Sequence, residues 1–279
     1  MFAMLCVVAS GATQESAPFV GILQNTMPNL QRHYDAGARM AHVALIWNRV
    51  CPTEGAWNQA YLDEKKAEVQ KMRQTGYAIM LDFGAQYPPE WIYGQPNSRY
   101  RNQYGDAYAG GIGETGVNVV FNAKLREMLG AYVTGVLADF GKDVDIVRLG
   151  LMRYSEIGYP HPSFKGRKNA YWAYDDIAQG KVEGLPAGVK PCPVPGWTPG
   201  RPSADHVDAR RFAAWYVDAL ANFHDWQIEL VARQYEGRMA MLYPSWGIRE
   251  GQLESAVLND LNGTTSAERN GEIQRAFAF

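Results

Sequence analysis

The chain lacks several features that would assign it to a class at once. No apolar run in its 279 residues approaches the roughly 20 residues that span a bilayer, which argues against an integral membrane protein. Its 27 Lys and Arg residues nearly balance its 29 Asp and Glu residues, and no basic run occurs. A surface that follows nucleic-acid phosphates is therefore not expected. The expected partner is a neutral small molecule.

Cysteine and histidine are also scarce. The three cysteines, Cys6, Cys51 and Cys192, lie far apart without a C-x-x-C pair, which excludes a disulfide-dense scaffold and gives no zinc motif. The five histidines show neither H-x-H nor H-E-x-x-H spacing, so no metal and no other cofactor is expected. Cys51 and Cys192 are expected to be unpaired thiols. A disulfide between them is the alternative if Cys6 were removed with a leader in an oxidising compartment.

Residues 1–18 allow two interpretations. Residues 1–12 form a short apolar stretch that ends in small residues, as a secretory signal does, but no Lys or Arg precedes it. A first strand or a disordered N-terminus is the alternative. Secretion or export to the periplasm is therefore one of two open possibilities, and the localisation is not predicted.

What the chain does contain is an alternation of short apolar runs and segments of helical period. Hydrophobic residues make up 47% of it, enough for a substantial core. The predicted buried strands are 19–24, 40–47, 78–83, 146–152 and 238–243. The predicted helices are 29–36, 61–75, 123–140 and 209–234, with Gly37, Gly76 and Gly141 at three helix ends. Repeated βα units of this kind predict a parallel sheet covered by helices.

The loops after the strands are unusually rich, at 48–57, 84–117 and 154–205. In a (β/α) barrel the loops after strands build the active site. We therefore predict an α/β fold of the (β/α) TIM-barrel type, as one domain over residues 19–279. Only about 36 residues follow the fifth strand, and a βα unit needs roughly 30 or more, so a full eight-stranded barrel does not fit after it. Either the strand count is too low or the barrel is incomplete at its C-terminus, and we expect the second.

Three motifs occur in order along the chain. The first is a strand ending at Trp47, followed by a Pro-x-x-Gly turn at 52–55, an aromatic residue and Leu-Asp at 62–63. The second is a strand carrying Asp82, followed by Pro-Pro-Glu-Trp at 88–91, and the third is Tyr-Ser-Glu at 154–156. Over about residues 19–160 this ordered set resembles the clan A glycoside hydrolases. It is most similar to members related to glycoside hydrolase family 42, which are β-galactosidase-like.

The resemblance implies a retaining glycosidase in which Glu156 is the general acid/base. Such chemistry needs a second carboxylate about 5 Å away as the nucleophile. The family supplies it from the seventh strand, which cannot be placed in this chain. The nucleophile is therefore expected beyond the chain end, and Glu250, the only acidic residue immediately after a late strand, is the alternative. Ser155 stands where the family has an Asn that holds a sugar hydroxyl, and a serine has a shorter reach and one donor.

Aromatic residues make up 12% of the chain, and several follow strands. Flat apolar rings stack on the C–H faces of sugars, and Asp, Asn and Arg hold the hydroxyls. Packing in the core is the alternative for each ring, and ordering of a loop is the alternative for Asp82. The predicted substrate-binding residues are Trp47, Asp82, Trp91, Tyr154, Ser155 and Trp246.

The sequence therefore predicts hydrolysis of a β-linked oligosaccharide or glycoside. One alternative is a catalytically incomplete barrel fragment that binds carbohydrate without cleaving it. Another is a barrel enzyme of different chemistry, since this architecture hosts many reactions. The oligomeric state is not predicted.

Overall fold

One sheet of six strands organises the molecule. The computed structural model describes residues 5–8, 20–23, 27–110, 116–152, 155–167, 170–199 and 207–243. The strands are β1 (Leu5–Val8), β2 (Val20–Ile22), β3 (Ala38–Ala44), β4 (Ala78–Asp82), β5 (Ile146–Leu149) and β6 (Arg238–Leu242). Strands β2 to β6 are parallel and adjacent in chain order, and β1 lies antiparallel beside β6.

Helices connect the consecutive parallel strands. They are α1 (Leu30–Asp35), α2 (Trp47–Val50), α3 (Gln59–Thr75), α4 (Ala123–Phe140) and α5 (Val207–Ala232). Among the described residues, short 3₁₀ helices occur at Met27–Asn29, Glu90–Gly94 and Gly141–Asp143. The five predicted parallel strands and four crossover helices are confirmed, with boundaries that differ by a few residues. The parallel strands curl into part of a barrel, which confirms the prediction of an incomplete (β/α) barrel.

The ends of the long helices follow from local sequence. The side-chain oxygen of Asn58 accepts a hydrogen bond from the amide of Tyr61 at 3.2 Å at the start of α3. That of Asn122 accepts from the amides of Lys124 and Leu125 at 3.0 and 3.3 Å at the start of α4. These bonds satisfy amide groups that have no partner within the helix. At the other end of α3, Gly76 adopts a left-handed conformation with φ of 103°, which favours glycine.

The register of the sheet gives its two faces different compositions. The outer face packs on the helices in one large apolar core. On the inner face a separate small cluster forms at the amino-terminal side of the strands, from Met40, Met80, Ile146 and Ala240. Because side chains alternate along a strand, the next inner positions towards the carboxyl ends are polar on three strands: His42 on β3, Asp82 on β4 and Arg148 on β5. On β6 the corresponding position is the apolar Leu242.

Within the part of the chain that the structure describes, no helix has the length and apolar character needed to cross a bilayer.

Candidate active site

Asp82 is the centre of a buried polar cluster at the carboxyl end of the sheet. It is the last residue of β4, and only 2% of its surface is exposed. One carboxylate oxygen, Oδ1, accepts a hydrogen bond from the amide of Gly84 at 2.8 Å. The other, Oδ2, accepts from the hydroxyl of Ser155 at 2.7 Å and from the guanidinium of Arg148. The imidazole Nε2 of His42 lies 3.6 Å from Oδ2.

We call His42, Asp82, Gln86, Arg148 and Ser155 the Asp82 cluster. Gln86 belongs to it because its side-chain oxygen lies 3.2 Å from the Ser155 hydroxyl oxygen. Three adjacent strands and two of the loops that follow strands contribute to the cluster. It therefore connects the rigid sheet to the loops on the face where a barrel builds its active site.

The charges within the cluster keep Asp82 ionised. Burial by itself raises the pKa of this carboxyl group. The nearby imidazole of His42, the positive charge of Arg148 and the hydrogen bond from the Gly84 amide together outweigh burial and lower the pKa to about 2. Asp82 is thus a carboxylate at neutral pH and cannot donate a proton there. A general acid on this face has to be a different residue.

The chain folds back sharply after β5. Gly150 has φ of 122°, and a Cβ atom at this position would lie 1.9 Å from the carbonyl oxygen of Ser155. Ser155 itself adopts a left-handed conformation, with φ of 58°. The amides of Leu151 and Met152 donate to the carbonyl oxygen of Glu156 at 3.3 and 3.0 Å. Residues 150–152 are thus bonded back to residues 155–156 in a sharp turn, and this close approach requires glycine at residue 150.

This turn places Glu156 at the carboxyl edge of the sheet, beside the end of β6. Glu156 forms an isolated parallel bridge with Leu242, and the amide of Ile157 donates to the Leu242 carbonyl at 3.1 Å. Glu156 is half-buried, whereas Ser155 before it is only 1% exposed. The backbone of Glu156 is thus fixed beside β6, whereas the residue remains partly exposed to solvent.

Of the other predicted site residues, two lie in the described part of the chain and three lie outside it. Trp47 is 1% exposed and stacks on Tyr132, with ring centroids 5.0 Å apart, which favours the core-packing interpretation. Trp91 is half-buried, and its indole N–H donates to the carbonyl of Cys51 at 3.0 Å. Three of the predicted site residues lie outside the described residues: Tyr154, Trp246 and Glu250.

Sequence reasoning missed His42, Gln86 and Arg148. A signal did exist for two of them, since His42 and Arg148 are polar residues inside otherwise apolar strands. We treated both strands as uniformly buried runs. A charged residue in a buried strand needs a partner, and Asp82 on the adjacent strand was the available carboxylate.

Other reactive groups offer no competing centre in the described ranges. No group of three or more His, Cys, Asp and Glu residues there could hold a metal ion. Cys51 and Cys192 are buried free thiols, and burial raises the pKa of Cys51 to about 11. A thiol with such a pKa is protonated at neutral pH and is a poor nucleophile.

No protein-family model matches the chain, and no curated protein sequence matches it. Solved structures do resemble it. The catalytic domain of a β-amylase from Paenibacillus polymyxa superposes with a TM-score of 0.58 at 12% identity, over 91% of this chain and 70% of that one. A β-galactosidase from the Antarctic haloarchaeon Halorubrum lacusprofundi gives a TM-score of 0.54 at 15% identity, over 78% of this chain and 35% of that one.

Both of these neighbours are glycoside hydrolases. At such low identities the likeness establishes the shared fold, a (β/α) barrel of which this chain forms a part. The chain spans 70% of the β-amylase domain but only 35% of the β-galactosidase. Activity and substrate are therefore matters for proposal.

Proposed function

We propose that this chain is a glycoside hydrolase barrel that cleaves a β-linked saccharide, with Glu156 as the general acid/base. The observation that carries the proposal is the position of Glu156. It lies at the carboxyl edge of a parallel barrel sheet, after the turn that follows β5, on a backbone fixed against β6, and the residue is half-buried. That edge is where barrel enzymes hold their catalytic groups. The fold shared with a β-amylase and a β-galactosidase supports the same class.

The proposed reaction is a double displacement. Glu156 protonates the glycosidic oxygen as the leaving group departs and a second carboxylate bonds to the anomeric carbon. Glu156 then removes a proton from the water that hydrolyses this intermediate. Glu250 is the candidate nucleophile within this chain that can be tested, and a carboxylate beyond the chain end is the alternative that the resemblance favours. The resemblance to family 42 also favours a β-galactoside as the substrate. The substrate-stacking roles proposed for Trp91, Tyr154 and Trp246 belong to the same hypothesis.

The test is an assay of the chain and two variants on paired aryl β-galactosides, one with a good leaving group and one with a poor one. Glu156→Ala should lose about 10²- to 10⁴-fold in rate on the poor leaving group, because that group needs a proton to depart. On the substrate with the good leaving group, the rate of the first step should fall much less in Glu156→Ala. Glu250→Ala should abolish cleavage of both substrates, because a nucleophile is needed whatever the leaving group.

Glu90→Ala is the matched control. Glu90 also follows a strand on this face, but its side chain is 89% exposed, with only a distant ion pair to Arg99. Removing it should leave both rates unchanged. Parent activity that survives Glu156→Ala on the poor leaving group would refute the assignment. If the parent binds galactosides without cleaving any substrate, the carbohydrate-binding alternative replaces the hydrolase.

A further inference from the structure

We infer that Asp82 is a positioning residue for Glu156: held by Arg148, its carboxylate fixes Ser155 and thereby the backbone that presents Glu156. This inference rests on the proposed role of Glu156. It assigns to Asp82 a function in catalysis that requires no contact with the substrate.

The first support is the conformation of Ser155. Its φ of 58° lies in the left-handed region, which a residue with a side chain adopts only when the surroundings hold it there. The side chain is fully buried, and its hydroxyl donates to the Asp82 carboxylate at 2.7 Å. A hydrogen bond to an ionised acceptor is among the stronger kinds in proteins. This bond is the side-chain contact that fixes Ser155, and the Ser155 amide also donates to the carbonyl of Met152 at 2.7 Å.

The second support is the rigidity of Asp82 itself. Its Oδ1 is fixed by the Gly84 amide, and its Oδ2 by Arg148 on the neighbouring strand. Asp82 and Arg148 are paired in the register of β4 and β5. The carboxylate is therefore fixed at two points, by Arg148 on β5 and by the Gly84 amide just beyond the end of β4. Displacing Ser155 would require breaking its hydrogen bond to a carboxylate that is itself held by β5.

The third support is the link from Ser155 to the acid. Glu156 is the next residue, and its carbonyl oxygen accepts from the amides of Leu151 and Met152. Those two bonds close the turn that begins at Gly150. If Ser155 leaves its left-handed conformation, the carbonyl of Glu156 rotates and the turn opens. The direction of the Glu156 side chain changes with it.

Direct contact between Asp82 and a sugar is disfavoured by the same contacts. Asp82 is 2% exposed, and both of its oxygens already accept hydrogen bonds within the protein. Removing the Asp82 carboxylate should therefore lower kcat with little change in KM, because Glu156 is misplaced while the residues that contact the substrate are intact.

The experiment compares Ser155→Ala and Ser155→Gly with the parent chain. Both variants remove the hydroxyl, but glycine also removes the strain of the left-handed backbone. Misplacing a catalytic group by about 1 Å costs on the order of 10²-fold. Both should therefore lower kcat by about 10- to 100-fold on the aryl galactoside with the poor leaving group, with KM within about twofold. If the alanine variant fails to fold, the glycine variant decides alone.

Asp82→Asn and the double variant with Ser155→Gly test whether one network is involved. Asp82→Asn should lower kcat to a similar degree, and the double variant should lose no more than Asp82→Asn alone, because the two residues act through one contact. Ser98→Ala is the control. Ser98 is a buried serine whose hydroxyl donates to the Tyr93 carbonyl, and its loss should leave kcat unchanged.

A second measurement is independent of activity. Hydrogen exchange of the Leu151, Met152 and Ile157 amides should be faster in Ser155→Gly than in the parent, while exchange in β4 is unchanged. A glycine variant with parental kcat and parental exchange would overturn the inference. If the parent cleaves no glycoside, the proposed function fails, and the exchange data alone decide whether Asp82 holds the turn.

Discussion

The turn between β5 and Glu156 predicts a large and specific cost for a side chain at Gly150. In Gly150→Ala the added methyl carbon would lie 1.9 Å from the carbonyl oxygen of Ser155, far inside van der Waals contact. The backbone cannot rotate to relieve the clash without a further loss. The Gly150 amide donates to the side-chain oxygen of buried Gln227 at 3.0 Å.

The cost can be estimated from its parts. A φ of 122° costs a residue other than glycine about 1 to 3 kcal/mol. Moving the turn to relieve the clash breaks the hydrogen bond to Gln227 and leaves buried groups unpaired, which costs about 1 to 3 kcal/mol more. We therefore expect Gly150→Ala to lower the free energy of unfolding by about 4 kcal/mol. At about 2 to 4 °C per kcal/mol, Tm should fall by about 10 °C.

Gly166 and Gly158 lie in the same connection between β5 and α5 as Gly150. Substitutions there separate the cost of the positive φ from the cost of relieving the clash. Gly166 has φ of 75°, but a methyl group added there would meet no atom within 4 Å, so Gly166→Ala should cost about 1 kcal/mol from the backbone alone. Gly158 has neither a positive φ nor a close neighbour, and Gly158→Ala should be neutral within about 0.5 kcal/mol. Denaturant unfolding of the three variants measures the series. If Gly150→Ala costs no more than Gly166→Ala, the close approach of residues 150 and 155 does not exist in the folded protein.

Three further predictions concern stability. Burial raises the pKa of Asp175 from 3.8 to about 6, so the native state binds this proton more tightly and stability should rise as the pH falls from 6 towards 4. Asp175→Asn, which keeps an acceptor for the Ala178 amide, should stabilise by up to about 3 kcal/mol at pH 8 and by little at pH 4 in thermal unfolding. An equal effect at both pH values would contradict this. For Asp82, whose pKa is lowered to about 2, the contribution to stability is present above pH 4 and is lost as the pH falls towards 2. Acid titration of unfolding should therefore show a smaller difference between the parent and Asp82→Asn at pH 2 than at pH 5. Asn122→Ala removes the N-cap of α4 and should cost about 1 kcal/mol in denaturant unfolding, and an unchanged midpoint would refute the capping role.

The sequence was sufficient to predict the fold because each crossover unit carries its own periodic signal. Helix α4 lies at Ala123–Phe140, within the predicted bounds, since Asn122 caps its start and its apolar residues recur at helical spacing. The strands were found as apolar runs between turn residues. Neither signal requires knowledge of distant contacts. The local sequence therefore contained the order of the elements, and with it the parallel sheet.

The candidate site was only partly predictable. Glu156, Asp82 and Ser155 were recognised because they lie at or after the carboxyl ends of predicted strands, where parallel barrels collect their functional groups, and within motifs that resemble those of clan A glycoside hydrolases. Arg148 was missed because both faces of a barrel strand are buried, and only the register with β4 shows which face carries a charge. The packing role of Trp47 likewise could not be predicted, because it depends on which residues the ring contacts in three dimensions. Helix α2 begins at this residue, and the ring stacks on Tyr132 of α4.

The composition of the inner face supports a functional origin for the Asp82 cluster. Its lower layer is wholly apolar, with Met80 and Ile146 side by side in adjacent strands. The next layer could be filled in the same way, and a buried ion pair contributes little net stability compared with well-packed apolar side chains. Yet β4 and β5 place Asp82 and Arg148 there, immediately below a turn whose backbone is held in the left-handed region. An ionised acceptor at this point supplies a fixed, directional hydrogen bond to Ser155, which an apolar layer cannot supply. We therefore propose that Asp82 and Arg148 serve to hold Ser155, the residue before Glu156, because apolar side chains at their positions would stabilise the barrel at least as well.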